Sequence, residues 1–287
     1  MAGTLLIGLS VAMLLFLLAA GLTLIFGMLG VINFAHGALY MLGAFLAFEV
    51  YRRSGSFWLA LLVAPLVVAA AGALFEILAL RPLYGRDHVE QLLMTFGAIL
   101  VLEEVVRLVW GLSYRDLPAA EMLQGSVAVG GNEVAVYRLF ILGAGLLVGL
   151  GLFLLIEQTR LGMVLRAAMT HPGMVRGLGI RVERVRTAVF ALGAGLAALA
   201  GAIAAPALPV QVGMGFTIIV DCFVVVILGG LGNIRGAIAA AVLLGLVQAF
   251  GQSWFPAWID VTTYLVLIGV LLLRPEGLFS VSTGRRA

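Results

Sequence analysis

Residues 5–29 form an apolar run without one acidic or basic side chain, and no Lys or Arg precedes it. About 20 such residues cross the hydrocarbon core of a bilayer. A secretory leader would start basic and carry a shorter apolar stretch, so the run reads as a first span that stays in the protein. Similar runs recur at 57–79, 92–110, 137–156, 187–208, 216–231, 236–251 and 258–273, with a shorter one at 38–50. Hydrophobic residues make up 63% of the 287 and charged residues 11%, against about 25% charged in soluble domains. That excludes a soluble globular enzyme. The expected fold class is all-α: a polytopic membrane protein of about eight transmembrane helices plus a short or re-entrant segment. It forms a single transmembrane domain over 1–287, with one long basic loop at 157–187.

Arginine placement sets the expected orientation, because short cytoplasmic loops collect basic residues. The 157–187 loop holds Arg160, Arg166, Arg176, Arg181, Arg184 and Arg186 against Glu157 and Glu183. The tail adds Arg274, Arg285 and Arg286 against Glu276, so both segments read as cytoplasmic. Residues 111–136 hold Arg115 against Asp116, Glu121 and Glu133 and read as external. Counting back puts the N-terminus outside. Arg52 and Arg53 then fall outside as well, against the rule, unless the 38–50 segment only dips into the membrane.

What the chain lacks narrows its chemistry. All 17 basic residues are Arg, so neither a phosphate-binding loop with its Lys nor a lysine Schiff base is available. Cys222 is the one cysteine, and His36, His88 and His171 lie far apart without zinc-site spacing. No catalytic group, metal site or cofactor is expected, and nothing points to nucleic acid.

Polar interruptions carry the functional signal. Asn33, His36 and Gly37 break the apolar sequence between glycines Gly30 and Gly43. Irregular backbone at membrane depth survives only where protein or a water-filled cavity satisfies it, and Gly-interrupted segments point to transport routes. The competing reading is a simple turn in which Asn33 caps the next helix. A second interruption, Gly229 to Ala237 with Asn233 and Arg235, resembles the first. A faint repeat and shared turn chemistry explain it equally well. Glycines 143, 145, 149 and 151, and 193, 195 and 201, fall at helical spacing and fit close helix packing. Glu103 and Glu104 can pair with Arg107 within one helix, and Glu76 can meet Arg81. Asp221 and Asp260 have no obvious partner in sequence and are functional candidates. In the basic loop, Leu161, Val164, Leu165 and Ala168 follow the helical i, i+3, i+4, i+7 pattern, with Arg166 off the stripe. Such a helix docks in a groove of another protein or lies on an anionic membrane surface.

The segment Gly21 to Ala44, with its Val31-Ile-Asn-Phe-Ala-His-Gly37 core, resembles the inner-membrane permease subunit of bacterial branched-chain amino-acid ABC importers, more narrowly the shorter, LivH type. Thr159 to Ala168 with Gly177-Leu-Gly179-Ile180 resembles the family's ATPase-coupling loop. Phe223 to Ala237 resembles a third signature, and Arg274-Pro-Glu-Gly277-Leu-Phe279 the family's ending. Pro172-Gly173 and Asp221 depart from the usual pattern and leave substrate preference open.

The resemblance implies a type II ABC-importer-like fold in the bacterial inner membrane. It also implies a homologous second permease subunit, two cytoplasmic ATPase subunits, a periplasmic substrate-binding protein and the lipid bilayer as partners. The substrate route expected from the polar interruptions and the acid without a partner in sequence includes Asn33, His36, Gly37, Asp221 and Asn233. The implied coupling residues are Leu161, Val164, Leu165, Arg166, Ala168 and Gly179, which an ATP-driven push would use to rock the spans. The cargo is expected to be branched-chain or other small neutral amino acids. Urea or short amides, and a self-sufficient secondary transporter, are the alternatives.

Overall fold

The computed structural model describes residues 1–129, 132–254, 256, 259–274 and 277–278. Each long apolar run becomes a helix, since in lipid the backbone must satisfy its own hydrogen bonds within the segment. The helices are α1 (Ala2–Leu29), α2 (Ala35–Ser54), α3 (Phe57–Phe75), α4 (His88–Trp110), α5 (Val136–Gln158), α6 (Arg160–Thr170), α7 (Pro172–Gly177), α8 (Val182–Ala204), α9 (Met214–Gly229), α10 (Ile234–Trp254) and α11 (Ile259–Leu273). A small antiparallel hairpin, β1 (Ser126–Val129) and β2 (Asn132–Ala135), pairs Val127 with Val134 in the loop before α5. It is the one addition to the all-α expectation among the described residues.

Among the described residues, five helical segments are long and apolar enough for a full crossing: Ala2–Leu29, Phe57–Leu83, Val136–Gln158, Val182–Ala204 and Ile234–Trp254; Met214–Gly229 and Thr263–Leu273 are shorter apolar helices. At about 1.5 Å per residue, the 16 residues of α9 reach only about 24 Å of the roughly 30 Å hydrocarbon core. The segment expected to be short is instead a 20-residue helix, α2. Its polar end is partly neutralised: Glu49 accepts hydrogen bonds from Arg52 at 2.7 Å and Arg53 at 2.6 Å. That pairing offsets part of the charge that the two exposed arginines place at this end of α2.

The packing has a core helix and two ends. α1 is buried over most of its length from Ala12 to Ile25 and packs against α10, α8, α5 and α9. Glycines set these approaches. A methyl group on Gly201 of α8 would strike the Tyr40 carbonyl of α2, and one on Gly245 of α10 would strike the backbone of α1 at Gly8 and Ala12. Of the two glycine series, 145, 149, 193, 195 and 201 face another helix, while Gly143 and Gly151 face open space.

At one end, Gly27 of α1 meets Met169 of α6 and Gly232 of the α9–α10 turn. The Leu278 amide donates to the Leu228 carbonyl there. The basic loop and the described start of the tail therefore share this end. At the opposite end, Arg115 and Val210 exchange backbone hydrogen bonds of 2.9 and 3.0 Å, and the Tyr137 hydroxyl donates to the Ile203 carbonyl at 2.7 Å.

Gly201→Ala should destabilise the purified chain by about 1–3 kcal/mol, the usual cost of overpacking a tight contact. Gly151→Ala, which meets nothing, should be neutral or mildly stabilising. Melting temperatures in one detergent check the pair; equal shifts would contradict the packing described.

Candidate functional site

The break after α1 does more than turn the chain. Gly30 ends α1 in the left-handed conformation (φ 66°), its amide donating to the Phe26 carbonyl, which is how glycine commonly closes a helix. The next helix does not start at that level. His36 in the first turn of α2 is fully buried, and its Nε2–H donates to the Leu18 carbonyl at 3.0 Å. Leu18 lies eleven residues before the last residue of α1, about 16 Å back along the helix axis. Residues 30–34 therefore re-enter the bundle, and α2 begins partway through it.

A second re-entry meets the first. The segment between Ala204 and Met214 leaves the hairpin end, and a methyl group on Gly37 at the start of α2 would strike the Gly215 carbonyl at the start of α9. Two helix starts, entering from opposite ends, thus touch inside the bundle. The second interruption expected at Gly229 to Ala237 has a different position. It is a tight turn at the end carrying α6, where the Asn233 Oδ1 accepts from the Gly236 amide at 3.1 Å and caps α10. Asn233 is therefore placed at the end of the bundle, away from the interior break. The second interior break instead follows Pro206, Pro209 and Gly213, breaker residues without the Asn-Gly pattern of the first.

Asn33 is the most unusual side chain of this region. It is fully buried, and neither amide atom has a hydrogen-bond partner among the described residues. It does not cap α2, whose N-cap is Phe34 without any side-chain bond. The capping role considered for it is thus excluded here. The His36 Nδ1 is likewise buried without a partner. Buried polar groups normally find partners, and three bare atoms here fall within residues 33–36.

The surroundings are aromatic on one side and acidic on another. The Phe34 ring stands edge-on to Phe223 at 4.9 Å and to Phe96 at 6.0 Å, and Phe96 reaches Phe216 at 6.4 Å. The Thr95 hydroxyl of α4 lies 3.2 Å from the Ile32 carbonyl and ties down the re-entrant segment. An apolar cavity of about 460 Å³ opens beside it between α2, α3 and α4, lined by Ala35, Leu39, Phe75, Leu93 and Gly97 among others. Phe96, Phe216 and Thr95 had no local sequence signal, because they join the site only through tertiary packing.

The acids divide. Glu104 pairs with Arg107 at 2.5 Å, and Glu76 with Arg81 at 2.9 Å, as spacing predicts. Glu103 is half-buried and takes no part in the Arg107 pair; it faces Gly213, before α9. Asp221, half-buried on α9, has the partner its sequence context did not show: Gln248 of α10 at 3.4 Å. The Asp260 side chain lies outside the described residues. No group of three His, Cys, Asp or Glu side chains that could hold a metal occurs among the described residues.

The basic loop folds as two short helices. Thr159 caps α6 through its Oγ1 to the Gly162 amide at 3.1 Å, and Pro172 opens α7, a position proline favours. Gly179 (φ 80°) turns the chain into α8. The apolar stripe is divided: Leu165 (7% exposed) and Ala168 (3%) turn into the chain's own bundle, Val164 is half-buried, and Leu161 (71%) points out beside Met163 (63%). A stripe of helical period buries itself on the nearest apolar surface, which here is the bundle. Arg166 bonds the Ile156 carbonyl and lies 3.4 Å from Glu157, which Arg235 also meets at 3.1 Å.

Comparison with known proteins covers nearly the whole chain. Residues 4–273 match the family described as branched-chain amino acid transport system, permease component. The high-affinity branched-chain amino acid transport system permease protein BraD of Pseudomonas aeruginosa is 32% identical over 285 residues, 94% of this chain and 93% of that protein. The corresponding LivH of Escherichia coli is 30% identical over 278 residues, 91% of this chain and 90% of that protein. LivM of Escherichia coli is 27% identical and is covered over 69% of its length. No solved structure matches the chain.

If the Asn33 amide has no structural partner, Asn33→Leu should hold the melting temperature of the purified chain or raise it. Removing a buried unpaired polar group relieves about 1–3 kcal/mol. His36→Leu should lower it, since the Leu18 bond is lost. A drop for Asn33→Leu as large as that for His36→Leu would show that the amide serves packing alone.

Proposed function

The chain belongs to the branched-chain amino acid transport permease family, and we propose that it is one membrane-spanning subunit of an ATP-driven importer in the bacterial inner membrane. Its cargo on this reading is a branched-chain or other small neutral amino acid. The observation that carries the reading is the pair of re-entrant segments meeting at Gly37 and Gly215, beside the buried, unpartnered Asn33 and His36. Discontinuous helices of this kind surround substrate sites in transporters. Asn33, His36 and Gly37 line or shape the route from this side, with Asp221 further along α9; Asn233 serves the route only by fixing the turn that ends it.

Energy comes from elsewhere. A chain without lysine has no phosphate-binding loop, so two cytoplasmic ATPase subunits supply ATP hydrolysis, and a periplasmic binding protein delivers cargo. The likeness to both LivH and LivM supports a pairing with a homologous second permease. The whole of 1–287 acts as one domain, with 157–187 as its coupling loop. Leu161, with Met163, offers the exposed apolar anchors for an ATPase groove, while Leu165, Ala168 and half-buried Val164 seat α6 on its own bundle. Arg166 and Gly179 set the pose of the loop, and Met169 against Gly27 passes its displacement to α1.

Reconstitution tests the reading. The chain alone should hydrolyse no ATP; with its partner subunits it should drive ATP-dependent leucine uptake. Leu161→Glu and Met163→Glu should weaken ATPase association about tenfold or more, equivalent to about 1.4 kcal/mol, because a charge enters an apolar groove unpaired. Leu165→Glu should instead destabilise the chain itself. If both exposed variants assemble and couple normally, α6 is a membrane-surface element.

A further inference from the structure

Behind the coupling loop lies a polar network that no part of the route uses. Glu76 closes α3, is fully buried, and opens a π-helical turn, Glu76–Leu80. Its carboxylate accepts from Arg81 at 2.9 Å, from the Tyr84 hydroxyl at 3.0 Å and from the Thr187 hydroxyl at 2.8 Å. Thr187 stands on the second turn of α8, and also accepts from Arg81. The Arg186 guanidinium lies over the Tyr84 ring at 4.9 Å. One step further, Glu183 in the first turn of α8 pairs with Arg176 of α7 at 2.8 Å.

A continuous path of bonds thus runs from α7 through the first turns of α8 to the end of α3. Its centre has two settings. The Thr187 hydroxyl carries one hydrogen and has two acceptors in reach: the Glu76 carboxylate, and the Glu183 carbonyl of its own helix at 3.0 Å. In the first setting Thr187 bonds Glu76 directly; in the second, its hydrogen goes to the backward bond that helical Thr commonly makes, and the end of α3 reaches α8 only through Arg81. The wide π-turn beside Glu76 gives α3 slack, since such turns interrupt the regular ladder. A buried ion pair is weak evidence for stability alone, because well-packed apolar residues serve as well.

Resting on the importer reading above, we propose that Glu76, Thr187, Glu183 and Arg176 are positioning residues that transmit displacement of the coupling loop to α3. When α7 moves with its ATPase, the Arg176–Glu183 pair draws the first turn of α8, and Thr187 carries that motion across to Glu76.

The test uses the complete importer in proteoliposomes, with leucine as cargo, and reads cargo moved per ATP hydrolysed. Thr187→Val should assemble and hydrolyse ATP at close to the wild-type rate while cargo per ATP falls roughly fivefold or more, the usual scale of a coupling contribution. Thr187→Ser, which keeps the hydroxyl, should retain coupling. Arg176→Glu should lower the ratio, and adding Glu183→Arg should restore it. The relay is overturned if Thr187→Val moves as much cargo per ATP as wild type, if Val and Ser variants fail alike, or if the charge swap restores nothing. A wild-type complex that imports no amino acid would overturn the importer reading itself and the relay with it, whereas wild-type uptake beside an indifferent Thr187→Val sinks the relay alone.

Discussion

The hydrogen bond from His36 Nε2 to the Leu18 carbonyl determines where α2 begins, and with it the layout of the bundle. In hydrocarbon a re-entrant backbone is tolerated only where protein satisfies or surrounds it. The imidazole pins the start of α2 to α1 from inside the bundle, and the Thr95 hydroxyl of α4 reaches the Ile32 carbonyl of the re-entrant segment. Once α2 starts at that depth, Gly37 meets Gly215, α9 must also start inside, and a short helix of 16 residues suffices to reach the far end. Without the bond, α2 could start level with the end of α1 as an ordinary hairpin partner, and the two breaks would not meet.

The two functions assigned to the chain need opposite physics. The proposed route keeps bare polar atoms on Asn33 and His36, a local cost in stability. The end carrying the basic loop is instead rich in ion pairs and hydrogen bonds: Glu157 serves both Arg166 and Arg235, and Glu76 accepts from three side chains. On the proposed reading, a bonded base with a switchable centre passes a push at one end to the break in the middle, α6 acting on α1 through Met169 and Gly27 and α7 on α8 and α3.

Much of this was readable from residue order. The apolar runs, the Glu76–Arg81 and Glu104–Arg107 pairs and the special character of Asn33-Phe-Ala-His36 follow from spacing and charge. What was hidden is tertiary. The stripe at 161–168 has the right period but not a direction, and only the bundle shows that Leu165 and Ala168 face inward. Gln248 as partner of Asp221 lies 27 residues away. Asn33 and Asn233 share a motif yet differ in role, because a cap and a bare amide look the same until the neighbouring N–H groups are in place.

The central claim, that the break at Asn33 lines a route opened and closed by ATP, is tested most directly by cysteine accessibility. In a Cys222→Ser background, Asn33→Cys would be placed in the assembled importer and treated with a small polar thiol reagent. Modification should be slow in the resting complex, where the position is fully buried, and should accelerate when ATP and loaded binding protein are supplied together. A thiol that stays unreactive throughout active transport would contradict the account.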